Sequence, residues 1–148
     1  MTDKQDILIS LASIHAEKIF AGEKQVELRR RVMRVAPGST VWIYVKLPVG
    51  SIVGRASVEA VHASSPASLW RRFGVVSGLS REEFFEYFKG VTIGFALVLE
   101  GAKRLRRSLS LDSLRSIAEG FNPPQFFVRL TAEHPLFSVV TTAMSRPG

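Results

Sequence analysis

The densest set of residues able to do chemistry lies in one short stretch, Gly22-x-Lys24-x-x-Glu27-x-Arg29. Lys24 supplies a compact positive charge. Arg29 supplies a planar fork that can hold a phosphate or a base edge through two parallel bonds. Glu27 supplies a carboxylate that can accept from an exocyclic amine or orient either cation. If the site is catalytic, Lys24 is its base or positioning cation and Glu27 takes part in proton transfer. The same residue types also make an ordinary cross-strand ion-pair face. His15, a few residues upstream, can act as a general acid or base, although a partly exposed helix residue is the plainer reading.

The cations are grouped. Arg29, Arg30, Arg31 and Arg34 form one cluster, Lys103, Arg104, Arg106 and Arg107 a second, and Arg71 with Arg72 a third. Each alone fits a solvated face of a helix or strand, but the three together favour a surface that meets phosphates. The balance of 20 Lys and Arg against 13 Asp and Glu, a formal charge of +7, points the same way. We therefore expect Lys24, Glu27, Arg29, Arg30, Arg31, Arg34, Lys103, Arg104 and Arg106 to contact RNA or DNA, with a single flipped or unpaired nucleotide held at the motif. Trp42 and Tyr44, two apart on a strand, can stack a base, and Tyr44 joins the expected set; aromatic residues there also serve as core. Gln125 offers an amide able to read a base, beside Phe126 and Phe127, which we assign to anchoring the chain.

The elements that must position these groups can be read from period and punctuation. Ile7 to Leu11 is a short apolar run readable as a buried strand. Ser13 offers an N-cap for a helix on which Ala12, Ala16, Ile19 and Phe20 recur, stopped by Gly22. From Gln25 to Arg29 the alternation has period two, which turns Val26 and Leu28 to the core and Gln25, Glu27 and Arg29 outward together. Pro37-Gly38 marks a turn, Thr40 to Lys46 a strand, and Pro48 to Gly50 another break. Ser51 to His62 alternates, with Gly54 a bulge where a sheet bends. Ser65-Pro66 opens one helix and the Ser80/Glu83 pair, spaced as a capping box, opens another whose rings we assign to packing. A strand from Thr92 continues past Gly101 into the basic run, Leu111 to Ala118 forms a helix, and the double proline at 123 and 124 leads rigidly into a last strand at Phe127 to Leu130.

These elements make an α+β protein, a small, mainly antiparallel β-barrel with short helices at its ends. One domain over 1–137 is expected, followed by a loosely packed tail, 138–148. Cysteine is absent, which excludes disulfides, thiolate catalysis and cysteine-ligated metal. The three histidines show no metal-ligand spacing, so no metal or cofactor is expected. No stretch approaches the ~20 apolar residues needed to span a bilayer, and the start lacks a secretory pattern, so a cytoplasmic protein without membrane contact is expected.

The pattern Gly22-x-Lys24-x-x-Glu27-x-Arg29, preceded by the strand and helix of 7–21 and followed by the Pro-Gly turn and its strand, resembles the ASCH domain, a branch of the PUA-like superfamily. The resemblance runs more loosely to about Leu130. It implies a β-barrel with a cleft between barrel and helices, and a role in RNA binding or transcription-linked regulation. It also implies an alternative, metal-independent hydrolysis of RNA or modified nucleosides. In members similar to acetylcytidine amidohydrolases the lysine works with a threonine three residues later; Lys24 matches the lysine, but Glu27 replaces the threonine and cannot act as a hydroxyl. Members described as ribonucleases keep a lysine with hydroxyl residues, roles for which Ser10 and Tyr44 are the available candidates.

Overall fold

The computed structural model describes residues 3–145. Strand β1 (Asp6–Leu11) and helix α1 (Ser13–Phe20) come first, then β2 (Val26–Arg29), β3 (Thr40–Val45) and β4 (Ser51–Ser64). Helix α2 (Pro66–Phe73) runs through a 3-10 turn into α3 (Arg81–Tyr87), and the long β5 (Gly94–Ser110) follows. Next come α4 (Leu111–Ile117), β6 (Phe127–Arg129) and α5 (Phe137–Ser145).

The six strands form one curled sheet in the order β2-β5-β4-β3-β1-β6. Among the described residues only the β1–β3 pair is parallel; the other four pairs are antiparallel, so the chain forms the mainly antiparallel α+β fold expected from the sequence, as an open, barrel-like curl. The curl comes from β4 and β5, whose pairing shifts register between Ile52 and Gly54, Arg55 and Ser57, and Val58 and Ala60. Each shift adds a bulge that bends the strand and sharpens its twist. At Gly54 the reason for glycine is space: a Cβ would sit 2.4 Å from the Phe20 ring and 2.5 Å from the Lys103 carbonyl oxygen.

Both faces of the sheet are covered. Inside the curl, Ile7, Ile9, Val41, Ile43 and Leu97 pack with Ala16 and Ile19 of α1. Outside it, Leu8, Trp42, Tyr44 and Ile52 pack under Leu114, Leu136 and Val140. At the β2 end, Val26, Leu28 and Ala96 meet Leu69, Phe73, Phe84 and Phe88. Burial on both faces explains why β1 reads as a nearly unbroken apolar run.

Local signals behave as their chemistry dictates, with three differences. Ser65 caps α2 by accepting from the Ser68 N–H, and Ser80 with Glu83 completes a reciprocal capping box on α3. Helix α1, by contrast, is capped at Ala12 without a side-chain bond, so Ser13 is its first helical residue instead of its cap. Residues 138–145, expected as a loose tail, lie within α5, where Val140 is fully buried; residues 146–148 of that expectation lie outside the described residues. Glu27, expected to face outward, is only 8% exposed, because what lies beyond that face of β2 is a cleft wall and not open solvent.

Candidate nucleic-acid interface

Strands β2 and β6 are the two edges of the sheet, and no ladder joins them among the described residues. In the gap lies a cleft of about 860 Å³, walled by β2 and residues 30–33 on one side, by Gln125, Phe126 and Phe127 on the other, and by the β1–α1 junction at Ser10, Ala12 and His15. The volume falls within the roughly 300–1,000 Å³ usual for small-ligand sites.

Lys24 enters from the turn after α1. Gly22, with φ of +81°, reverses the chain, and the N–H groups of Glu23 and Lys24 both donate to the Lys18 carbonyl. The Lys24 side chain is then buried at the cleft, its Nζ donating to the Ser77 carbonyl at 2.6 Å. Ser77 is itself fixed, its hydroxyl donating to the Gly74 carbonyl at 2.7 Å and accepting from the Leu79 N–H at 3.2 Å. Burial lowers the Lys24 pKa from the usual lysine value; the Lys18 and Arg29 charges push the same way and Glu27 opposes them. His15 is likewise lowered, first by burial and then by Lys24, which favours its neutral form.

Glu27 and Arg29 share a face of β2, with Arg29 Nε 3.7 Å from Glu27 Oε1 and both side chains about nine-tenths buried. That separation balances charge but is too long for a hydrogen bond. Glu27 Oε2, Arg29 Nε, His15 Nδ1 and Ser10 Oγ are buried and have no hydrogen-bond partner in the protein. All four belong to residues lining the cleft. Buried polar atoms are nearly always paired in folded proteins, so four orphans among the residues of one cleft make it the candidate site.

The structure brings together Lys24, Glu27, Arg29, Arg30 and Arg31 on the cleft, with Gln125 on the facing wall. Arg30 has a structural duty as well: its Nη1 donates to the carbonyls of Tyr87 at 2.6 Å and Lys89 at 2.9 Å, tying the end of α3 to β2. Arg31 lies over the Phe126 ring, 4.3 Å from its centroid. Other expected residues stand elsewhere. Gln25 is exposed and turns back to the Gly22 carbonyl. Arg34 is exposed and does not line the cleft, its carbonyl accepting from Arg129. Tyr44 is buried on the outer face among Leu8, Ile52 and Leu114, and burial pushes its hydroxyl pKa up. Lys103 and Arg106 are exposed on the far half of β5, while Arg104 pairs with Glu17 at 2.6 Å and covers the Phe20 ring.

Sequence reasoning misses Tyr87. Its place among the aromatic residues of α3 assigns it to packing, yet it is partly exposed on the cleft, with its hydroxyl donating to the Leu28 carbonyl at 2.9 Å. Phe126, assigned to anchoring, is 46% exposed on the same cleft.

Known proteins share the fold and, in part, the sequence. Residues 6–122 match a family described as a domain of unknown function (DUF365). The chain is 35% identical over 131 residues to a protein of Zymomonas mobilis named ASCH domain-containing ribonuclease, covering 88% of each. The crystal structure of ASCH from Zymomonas mobilis superposes with a TM-score of 0.85 at 34% identity, covering 93% of this chain and 96% of that one. The chain belongs to the ASCH family. A human protein, THYN1, solved in complex with DNA containing 5-methylcytosine, shares the fold at a TM-score of 0.55 and 12% identity over 97% of this chain. This ASCH domain thus has the PUA-like architecture that its motif implied, with the motif lysine, glutamate and arginine on the wall of its cleft.

Proposed function

We propose that this ASCH domain binds RNA by seating one unpaired nucleotide in the cleft between β2 and β6. The observation that carries the reading is the set of four unpaired buried polar atoms on Ser10, His15, Glu27 and Arg29, gathered around one hollow. The charge pattern supports an orientation. Glu27 in the wall repels a phosphate, so the base goes inward and the sugar-phosphate lies toward Arg31, with the exposed faces of Tyr87 and Phe126 available for stacking. The relationship to a protein named a ribonuclease supports RNA as the polymer.

The test is fluorescence anisotropy with short single-stranded RNA at low ionic strength. The unaltered protein is expected to bind, and Lys24→Gln and Arg29→Gln to weaken binding by roughly tenfold or more. Absence of binding to any RNA or DNA at low salt removes the reading.

A second reading is favoured by one observation: His15, whose pKa burial lowers, lines the same cleft as the buried Lys24. Such a pair suits cleavage of RNA by internal transesterification. The 2′-oxygen attacks the neighbouring phosphorus while its proton passes to the imidazole, and the bond to the 5′-oxygen breaks as that oxygen takes a proton from the Lys24 ammonium. Products from incubation with RNA that vanish in both His15→Gln and Lys24→Gln, while oligonucleotide binding by His15→Gln persists, support cleavage at this cleft. Products that persist in both variants assign the cleavage to a contaminant.

A further inference from the structure

We propose that the cleft discriminates among bases and prefers guanine, an inference that rests on the nucleotide-seating reading above. It follows from the order of polar groups on one face of β2. Arg29 Nε is a donor without a hydrogen-bond partner; 3.7 Å away is Glu27 Oε1, and on the same carboxylate is Oε2, an acceptor with no partner at all. The wall therefore presents a donor followed by two acceptors, held on a strand whose neighbouring side chains Val26 and Leu28 are locked in the core. The row is stiff, which direct readout needs.

Each base edge can be set against that row. Guanine offers an acceptor, O6, followed by two donors, N1–H and the N2 amine, and it satisfies all three wall atoms in order. Adenine and cytosine each offer one amine next to a ring nitrogen acceptor, so one carboxylate oxygen is left without a donor. Uracil has a single donor between two acceptors, which sets a carbonyl against the carboxylate. A buried acceptor that meets no donor costs more than the missed bond alone, because its desolvation is then uncompensated. The carboxylate also keeps phosphate away from this part of the wall, while the exposed parts of Tyr87 and Phe126 offer flat apolar surface suited to a purine.

The probes are five-nucleotide RNAs of uridine with one central position varied to guanosine, inosine, adenosine, cytidine or uridine, titrated by isothermal calorimetry or anisotropy at fixed salt. Guanosine is expected to bind about tenfold more tightly than inosine, which lacks only the N2 amine, and more tightly still than uridine. Glu27→Gln is expected to erase the guanosine-to-inosine ratio. Equal affinity for all five RNAs, or a guanosine preference that survives in Glu27→Gln, overturns the proposal but leaves nucleotide seating intact. Failure of every RNA to bind overturns the seating reading instead. Should Glu27→Gln not fold by circular dichroism, the guanosine-to-inosine ratio in the unaltered protein decides alone, and a ratio near one rejects the proposal.

Discussion

His15 carries a pH dependence that follows from where it sits. Burial is the largest cause of its lowered pKa; Lys24 and Lys18 add to it, and Glu27 and Glu83 work against it. The folded value lies below the 6.5 of the free side chain, so between the two the unfolded chain binds more protons than the folded one. Stability therefore rises with pH across that window, and falls as pH drops from about 6.5 through the depressed value. Urea titrations at stepped pH are expected to show this slope, and His15→Gln to flatten it. A slope unchanged by that substitution would mean that His15 is solvated and does not belong to the buried set. At this scale the sequence was partly legible. The period of two put Glu27 and Arg29 on one face, and the turn at Gly22 put Lys24 ahead of them. What spacing could not disclose is that this face is buried, because the wall opposite is built by residues 125–127, about a hundred positions away. Tyr44 shows the converse: its spacing marks a strand face, but only the packing of Leu114 and Leu136 decides that the face is core.

Helix α1 reaches the cleft only because its other end is seated on the bent part of β4. Phe20 lies over Gly54, where the bulge and the missing side chain let the ring and the Lys103 carbonyl both approach. Gly54→Ala puts a carbon within 2.5 Å of that backbone oxygen, which the ring can yield to but the strand cannot. A loss of about 1–3 kcal/mol in denaturant stability is expected, the usual cost of overpacking a filled core. A loss below about 0.5 kcal/mol would show that β4 and β5 slide freely there. Elements announced by glycine, proline and caps, such as α2, α3 and the bulge in β4, were readable because those residues act on their own backbone. Helix α5 was not. Its run Val139, Val140, Thr141, Thr142 is β-branched and poor in helix propensity, and what makes it helical is the burial of Val140 and Leu136 against Leu8, Trp42 and Tyr44.

Across the whole molecule two of the basic clusters have different work to do. At the cleft the cations are partly committed inside the protein: Lys24 to the Ser77 carbonyl, Arg30 to the end of α3, Arg31 to the Phe126 ring. On the far half of β5, Arg104 is engaged by Glu17, whereas Lys103 and Arg106 are exposed with no ion pair among the described residues. An RNA longer than the seated nucleotide can gain from those two through phosphates, and phosphate contacts carry no base information. The double substitution Lys103→Ala/Arg106→Ala is therefore expected to weaken binding of a 15-nucleotide single strand equally for all sequences. The plot of log affinity against log salt should flatten by about 0.7 for each phosphate no longer neutralised, or about 1.4 for the pair. A five-nucleotide strand, which carries fewer phosphates, is expected to lose less. If the long strand keeps its salt slope in the double variant, the RNA leaves the cleft in another direction, and Arg34, exposed one residue past the cleft-lining Met33, becomes the residue to substitute next.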